Sequence, residues 1–563
     1  MKNKKENLRL YLVYIGFLFF FIGIFSRIAY LQIIKRNFLQ QVARKEHIKL
    51  IPLQGERGRI FDRKGRILAT NINVFSLYAD PKNIEDIGKI ERILSEELEI
   101  DKKEIKRKLT RNSRFVWLKR KISLEGKERI NKLIKKFKLK GIYFCREKER
   151  FYPQGKILSH ILGGVNIDNQ GIEGIELFYN NYLKAKNGWV EVTRDTTSEG
   201  VFLSPQVVSP INGADIFLTI DIQIQYWAET YLKETIEKFD AQAGGVVVVD
   251  PFSGEILALA NYPSYDSNRI SEFPHDSIRN RVITDVFEPG SVFKLVTLIA
   301  AIEEGKFNRD DIIFCEHGKF KIPGSVLHDW KPFGKLKFEE VFEKSSNIGV
   351  AKIANKLGKD IIYKFIRELG FGETTGVDLP GEIGGFLKPK HVWSKTSGYI
   401  IPIGQEVGVT LLQLVRAFCV PANGGYLVRP YVVKKIFREG FLHQTKPQRR
   451  KVIPSSVANK VKEILGEVVR EGTGRLANIE GIKVGGKTGT AQVYDPQLRR
   501  YSPTHYRASF VGFLPLEHPR LVIGVSIDNP QKSHFGGVIA APLFKKIGEK
   551  AIKYLEEREI VKR

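Results

Sequence analysis

Glu288-Pro289-Gly290-Ser291-Val292-Phe293-Lys294, followed by the apolar run Leu295-Val296-Thr297-Leu298-Ile299-Ala300-Ala301-Ile302, is the stretch on which the reading of this chain turns. Pro289 and Gly290 punctuate the chain and the run behind them is long enough for a helix, so Ser291 is predicted at a helix N-terminus. Residues three apart share a helix face, so the Ser291 hydroxyl and the Lys294 amine can point into one cleft. The helix is apolar nearly all round, the signature of a buried segment, and Lys294 is its anomaly. Burial strips a lysine of the hydration that favours its charged form, and a neutral amine beside a serine is a general base beside a nucleophile. The alternative is that Lys294 snorkels to solvent and Ser291 only caps the helix.

Two further motifs follow in order. Glu343-Lys344-Ser345-Ser346-Asn347 offers a Ser-x-Asn in a helical stretch, and Lys483-Val484-Gly485-Gly486-Lys487-Thr488-Gly489-Thr490-Ala491-Gln492-Val493 is a glycine-broken strand carrying Lys-Thr-Gly. Ser-x-x-Lys begins only at Ser291, Ser-x-Asn only at Ser345 and Lys-Ser/Thr-Gly only at Lys487. Around them, Gly245–Asp250 reads as a β-branched strand, Pro251–Gly254 as a turn, and Glu255–Ala260 as its antiparallel return. Arg507–Phe513 and Leu521–Ser526 read as further strands and Ala541–Glu557 as a closing helix. Strands at both ends of a largely helical middle imply one antiparallel sheet with helices inserted.

Toward the N-terminus, Arg57-Gly58-Arg59-Ile60-Phe61-Asp62-Arg63 and the glycines beside it suggest strands joined by a tight turn, a structural or interaction surface with no catalytic constellation. Residues 83–150 read mostly as charged amphipathic helix, and His160 as a structural histidine. Lys2, Lys4, Lys5 and Arg9 precede an uncharged stretch from Leu10 to Ser26, and a snorkelling Arg27 extends the span to Leu31. With no small-x-small site directly after it, this reads as an uncleaved anchor rather than a signal peptide, with the N-terminus in the cytoplasm and the rest outside it.

The chain has 563 residues, 42% hydrophobic and 27% charged, which excludes a disordered polymer and calls for two or more domains. A net charge of +28 suits an anionic environment, but no zinc-finger spacing or Arg-rich arm is present and nucleic acid is not an expected partner. Cys145, Cys315 and Cys419 are few and far apart, giving neither a disulfide framework nor a metal cluster; no metal and no cofactor are expected.

The three motifs together are those of β-lactamases and penicillin-binding proteins. The chain resembles a class B penicillin-binding protein, a membrane-anchored peptidoglycan D,D-transpeptidase, nearly from end to end. The segment Arg57–Arg63 resembles the pedestal motif of that family; Asp250-Pro251 through Asn261-Tyr262-Pro263, Gly404-Gln405 and Glu471-Gly472-Thr473-Gly474 match its transpeptidase domain. Ser345-Ser346-Asn347-Ile348-Gly349 looks most like the septal, cell-division branch, and Glu406 departs from the family by standing where many relatives carry a glycine.

The resemblance implies an α+β multidomain chain: a tail over 1–9, a transmembrane helix over 10–31, an elongated pedestal of dimerisation type over 45–214, and a transpeptidase domain with a central antiparallel sheet over 215–563. It implies that Ser291 attacks a D-Ala-D-Ala carbonyl, Lys294 takes its proton, Ser345 relays a proton to the leaving amine, and Asn347 orients Lys294 and substrate. Lys487, Thr488 and Thr490 would bind the terminal carboxylate, with side-chain-free Gly489 leaving room for an extended peptide along the strand. The backbone N–H groups of Ser291 and Thr490 would form the oxyanion hole. Stem peptides and β-lactams are the implied ligands, and a membrane-embedded glycan polymerase and other division proteins the implied partners. The competing functions are an elongation-type transpeptidase, a D,D-carboxypeptidase or β-lactamase using the same serine with water, a β-lactam sensor, and a non-catalytic division scaffold.

Overall fold

The computed structural model describes residues 2–39, 48–194, 200–201, 207–495 and 500–562. They form two compact units, Met1–Glu56 with Ala185–Asn212, and Arg57–Lys184 with Gly213–Arg563. In the first, a helix over Lys2–Ala29 continues through the turn Tyr30–Ile34. The 28 residues Asn7–Ile34 are long and apolar enough to cross a membrane, rising about 42 Å against a hydrocarbon core of about 30 Å. The same unit holds a small sheet in which Ile48–Leu53 pairs antiparallel with Gly188–Arg194.

The second unit is built on two sheets. The central one runs antiparallel in spatial order β2-β1-β5-β4-β3, with β1 Ala243–Val249, β2 Ile256–Tyr262, β3 Gly485–Asp495, β4 Arg500–Leu514 and β5 Leu521–Asp528. Strands from both ends of the helical middle thus lie side by side, as the sequence implies. Every residue of β1 and β5 is buried, because the helices Ile222–Phe239 and Gly536–Lys562 cover one face and the helical insert the other. β3 is the edge strand on that side of the sheet.

The second sheet ignores the sequence boundary near residue 215. Asp215–Leu218 pairs parallel with Ile60–Phe61 and antiparallel with Val433–Arg438, and Ile60–Phe61 pairs in turn with Ile67–Ala79. Gly58 is required at this junction: a Cβ there would lie 1.9 Å from the Ala214 carbonyl oxygen. The segment expected to be mostly helical departs from that reading. Helices Ile87–Leu98, Lys102–Leu109 and Leu124–Phe137 are present, but Val116–Ile122 and Ile142–Phe151 are strands flanking Ile67–Ala79. The strand Ile142–Phe151 carries alternating charges from Arg146 to Arg150, two of which are met by neighbours: Glu147 pairs with Arg120 at 2.6 Å and Arg150 with Glu176 at 2.6 Å. His160 is buried, its Nε2 3.0 Å from the Ser277 carbonyl oxygen.

Candidate active site

Ser291 sits on a single 3-10 turn, Gly290–Phe293, that leads into the helix α1, Lys294–Glu303. The turn is gripped from two sides. Gly290 has φ 54°, in the left-handed region that glycine tolerates. Its N–H donates to the Gly404 carbonyl at 3.1 Å, and Gly404 is packed so close that a Cβ on it would lie 2.1 Å from the Gly290 oxygen. On the other side the turn abuts β3: a Cβ on Gly489 would meet Val292 at 2.8 Å and the Pro289 oxygen at 2.9 Å. Glycine at 489 therefore serves the seating of the Ser291 turn against the strand, a different reason from the open path for substrate that the sequence suggests. Ser291 is left half-buried at the surface of the turn, while Lys294, one turn on, has no exposed surface.

Lys294 does not snorkel. Its Nζ lies 2.8 Å from the Ser345 carbonyl oxygen, 3.3 Å from Ser345 Oγ and 2.7 Å from Asn347 Oδ1. Lys487, also buried, donates from Nζ to Ser345 Oγ at 2.9 Å. The three distant motifs converge on one hydroxyl. Ser345 itself is held at φ 58°, strained for a residue with a side chain and characteristic of functional positions. The helix α2, Asn347–Leu357, begins two residues on, capped by Ser346. Asn347 is oriented by donating from Nδ2 to the His328 carbonyl at 3.0 Å, which turns its Oδ1 toward Lys294.

Farther along β3, Thr488 Oγ1 lies 2.9 Å from Thr473 Oγ1, and Thr490 Oγ1 accepts from the Gly536 N–H at 3.0 Å. Among the described residues no hydrogen bond joins Ser291 Oγ to Lys294 Nζ.

Burial pushes the Lys294 amine well below the usual lysine range, and the neighbouring charge of Lys487 pushes it further, against an upward pull from Asp329 and Cys315. Burial also brings Lys487 down to about 7. A neutral Lys294 donates two N–H groups, which the Ser345 carbonyl and Asn347 Oδ1 absorb. Its lone pair is then left to accept the proton of an attacking hydroxyl.

Sequence reasoning missed Asp329. Its carboxylate accepts from Ser346 Oγ at 2.7 Å, from the Asn347 N–H at 2.5 Å and from the Ile348 N–H at 3.1 Å, fixing the start of α2. Nothing in the local sequence marks it, because its reach depends on the fold of the hairpin Lys319–His328. Thr473 belongs to the quoted stretch Glu471–Gly474, and its proximity to Thr488 gives that stretch a place beside the strand.

A family model described as the penicillin binding protein transpeptidase domain matches residues 244–549, and one described as the penicillin-binding protein dimerisation domain matches residues 52–218. The chain is 33% identical over 555 residues to stage V sporulation protein D of Bacillus subtilis, covering 96% of this chain and 85% of that protein. It is 31% identical over 534 residues to the peptidoglycan D,D-transpeptidase FtsI of Escherichia coli, covering 92% and 87%. Among solved structures, penicillin binding protein 3 of Mycobacterium tuberculosis complexed with aztreonam superposes with a TM-score of 0.71 at 26% identity, covering 91% of this chain and 98% of that one.

Proposed function

The chain belongs to the class B penicillin-binding proteins, which makes it a peptidoglycan D,D-transpeptidase, and from that premise we propose that it cross-links stem peptides through an acyl ester on Ser291 in septal wall synthesis. What supports the chemical reading above all is the single hydrogen-bonded set of Lys294, Ser345, Asn347 and Lys487 packed behind the Ser291 turn. Ser291 Oγ attacks the carbonyl carbon of the penultimate D-Ala and its proton passes to Lys294 Nζ. The oxyanion is held by the backbone N–H groups of Ser291 and Thr490, each such donor being worth on the order of 10²–10³ in rate in other acyl-transfer enzymes.

As the tetrahedral centre collapses, Ser345 passes a proton to the leaving amine; the C–N bond breaks and free D-Ala departs. The amine of a second stem peptide then attacks the ester, loses a proton to the same base system, and restores the Ser291 hydroxyl. Lys487, Thr488 and Thr490 hold the terminal carboxylate of the donor. β-Lactams, which carry a matching carboxylate and a strained acyl bond, acylate Ser291 by the same route and are released slowly.

The domain assignment that accompanies this reading is a tail over 1–9, an anchor over 10–31, a pedestal over 45–214 and a transpeptidase domain over 215–563. The cluster of Lys2, Lys4, Lys5 and Arg9 favours a cytoplasmic N-terminus with the catalytic domain outside the inner membrane. Glycan polymerisation falls to a membrane-embedded partner. Incubation with a labelled penicillin tests the mechanism: a stable adduct is expected on Ser291, absent in Ser291→Ala and greatly slowed in Lys294→Arg, which keeps a charge but removes the base. Rapid turnover without an adduct would instead make the enzyme a hydrolase. A fluorescent fusion confined to mid-cell is expected for the septal role, and an even sidewall signal would replace it with elongation.

A further inference from the structure

Beyond Thr490 the edge strand β3 runs into a cavity of about 640 Å³ that takes no part in the chemistry described above. In a chain of net charge +28, its lining is anionic: Glu288, Glu406 and Asp528 stand against Lys388 and Arg507. Arg507 is already committed to Asp528 at 3.1 Å and Asp285 at 3.6 Å, and His505 Nε2 lies 3.0 Å from Asp528. That leaves two carboxylates facing one lysine.

Glu288 Oε1 accepts from the Glu406 N–H at 2.8 Å and from Tyr501 Oη–H at 3.1 Å, and its Oε2 is buried without a partner. Glu406 Oε2 accepts from Ser397 Oγ at 2.7 Å and from Lys388 Nζ at 3.4 Å, a long, partly exposed pair of little strength. Its Oε1 has no hydrogen-bond partner among the described residues. Glu406 also has φ 55°, a conformation that favours glycine.

The direction of β3 says which part of a substrate arrives here. Lys487, at one end, meets Ser345; Gly489 and Thr490 flank the Ser291 turn; Ala491 and Gln492 come next and line the cavity. A donor with its carboxylate at Lys487 and its acyl carbon at Ser291 therefore continues into the cavity with the residue that precedes D-Ala-D-Ala. The acceptor amine enters from the side that the leaving D-Ala vacates, at the Lys487 end.

Resting on the transpeptidase reading, we propose that Glu406, backed by Glu288, is a specificity-determining subsite that binds the side-chain ammonium of the donor residue preceding D-Ala-D-Ala. The aliphatic part of that side chain lies against Val286, Phe386 and Tyr501.

The test uses the full chain and two synthetic stem pentapeptides that differ only at this residue, lysine in one and Nε-acetyl-lysine in the other, with D-Ala release as the readout. The free amine is expected to be favoured about tenfold in kcat/KM, the low end for a hydrogen bond to a charged group. Glu406→Gly, which relieves the backbone, and Glu406→Gln, which keeps the shape, are both expected to bring the ratio of the two peptides close to one. Equal use of both peptides by the unaltered protein, or an unaltered preference in both variants, overturns the subsite while leaving the transpeptidase intact. Failure of both peptides to release D-Ala, together with no penicillin adduct on Ser291, would sink the transpeptidase reading and the subsite with it.

Discussion

Two buried lysines on either side of one serine hydroxyl define the residue scale of this protein. In the proposed mechanism Lys294 works as a base only when neutral, and Lys487 as a carboxylate clamp only when charged. Burial lowers both, and the charge of Lys487 lowers Lys294 further, so that mechanism calls for the intermediate state, with one proton held between two amines. The signs follow directly. As pH falls, Lys294 gains a proton and the base is lost; as pH rises through about 7, Lys487 loses its proton and the clamp is lost. The second-order rate of penicillin acylation should therefore trace a bell with its alkaline limb near neutrality. Lys487→Arg keeps its charge across that range and should erase the alkaline limb while lowering the maximum. An alkaline limb at the same pH in the arginine variant would assign it to another group.

At the scale of elements, α2 is the device that positions Asn347 and Ser345, and Asp329 is what fixes its first turn. A carboxylate accepting two helix N-terminal N–H groups satisfies orphan donors and complements the helix dipole. Asp329→Ala should cost about 1–2 kcal/mol of stability, read as a melting temperature lowered by a few degrees. It should also slow acylation about tenfold, with the loss in the acylation rate constant rather than in initial penicillin binding, because Asn347 no longer holds the Lys294 amine. Loss of stability alone would make Asp329 a cap and nothing more.

The helix α1 and the central strands were legible because long apolar runs stand between turn residues, and the three motifs because each occurs once. Asp329 and the φ of Ser345 were not, since both depend on partners brought in by tertiary folding. The strand Ile142–Phe151 was hidden by its charges: Arg146, Glu147, Lys148, Glu149 and Arg150 read as solvated helix, yet they are paired in register with Asn71–Phe75 of the neighbouring strand.

Across the whole second unit, the sequence suggests two domains meeting near residue 215, whereas the backbone weaves them into one sheet through Asp215–Leu218 and Ile60–Phe61. The motif Arg57–Arg63 is the joint. Arg63 reaches Glu255 on the transpeptidase side at 3.0 Å, and Lys64 reaches Asp221 at 2.5 Å. Arg57 turns inward to a buried triad in which Glu176 accepts from Arg57 Nε at 2.7 Å and from Arg150 Nε at 2.6 Å, while Arg150 Nη1 donates to the Gly58 carbonyl at 2.8 Å. Removing the one carboxylate strands two buried cations, so Glu176→Ala should destabilise the unit by about 3–5 kcal/mol.

The pH dependence gives this a signature that a simple cavity lacks. Burial alone would raise the Glu176 pKa, but the charges of Arg150 and Arg57 outweigh it and hold the carboxyl below its ordinary value. Its contribution is therefore present above the unfolded carboxyl pKa of about 4.3 and lost as pH falls through the folded value. Thermal unfolding of the two proteins should show a wide gap at neutral pH that narrows steadily in acid. A gap of constant width would mean that Glu176 supports the joint by its volume and not by its charge.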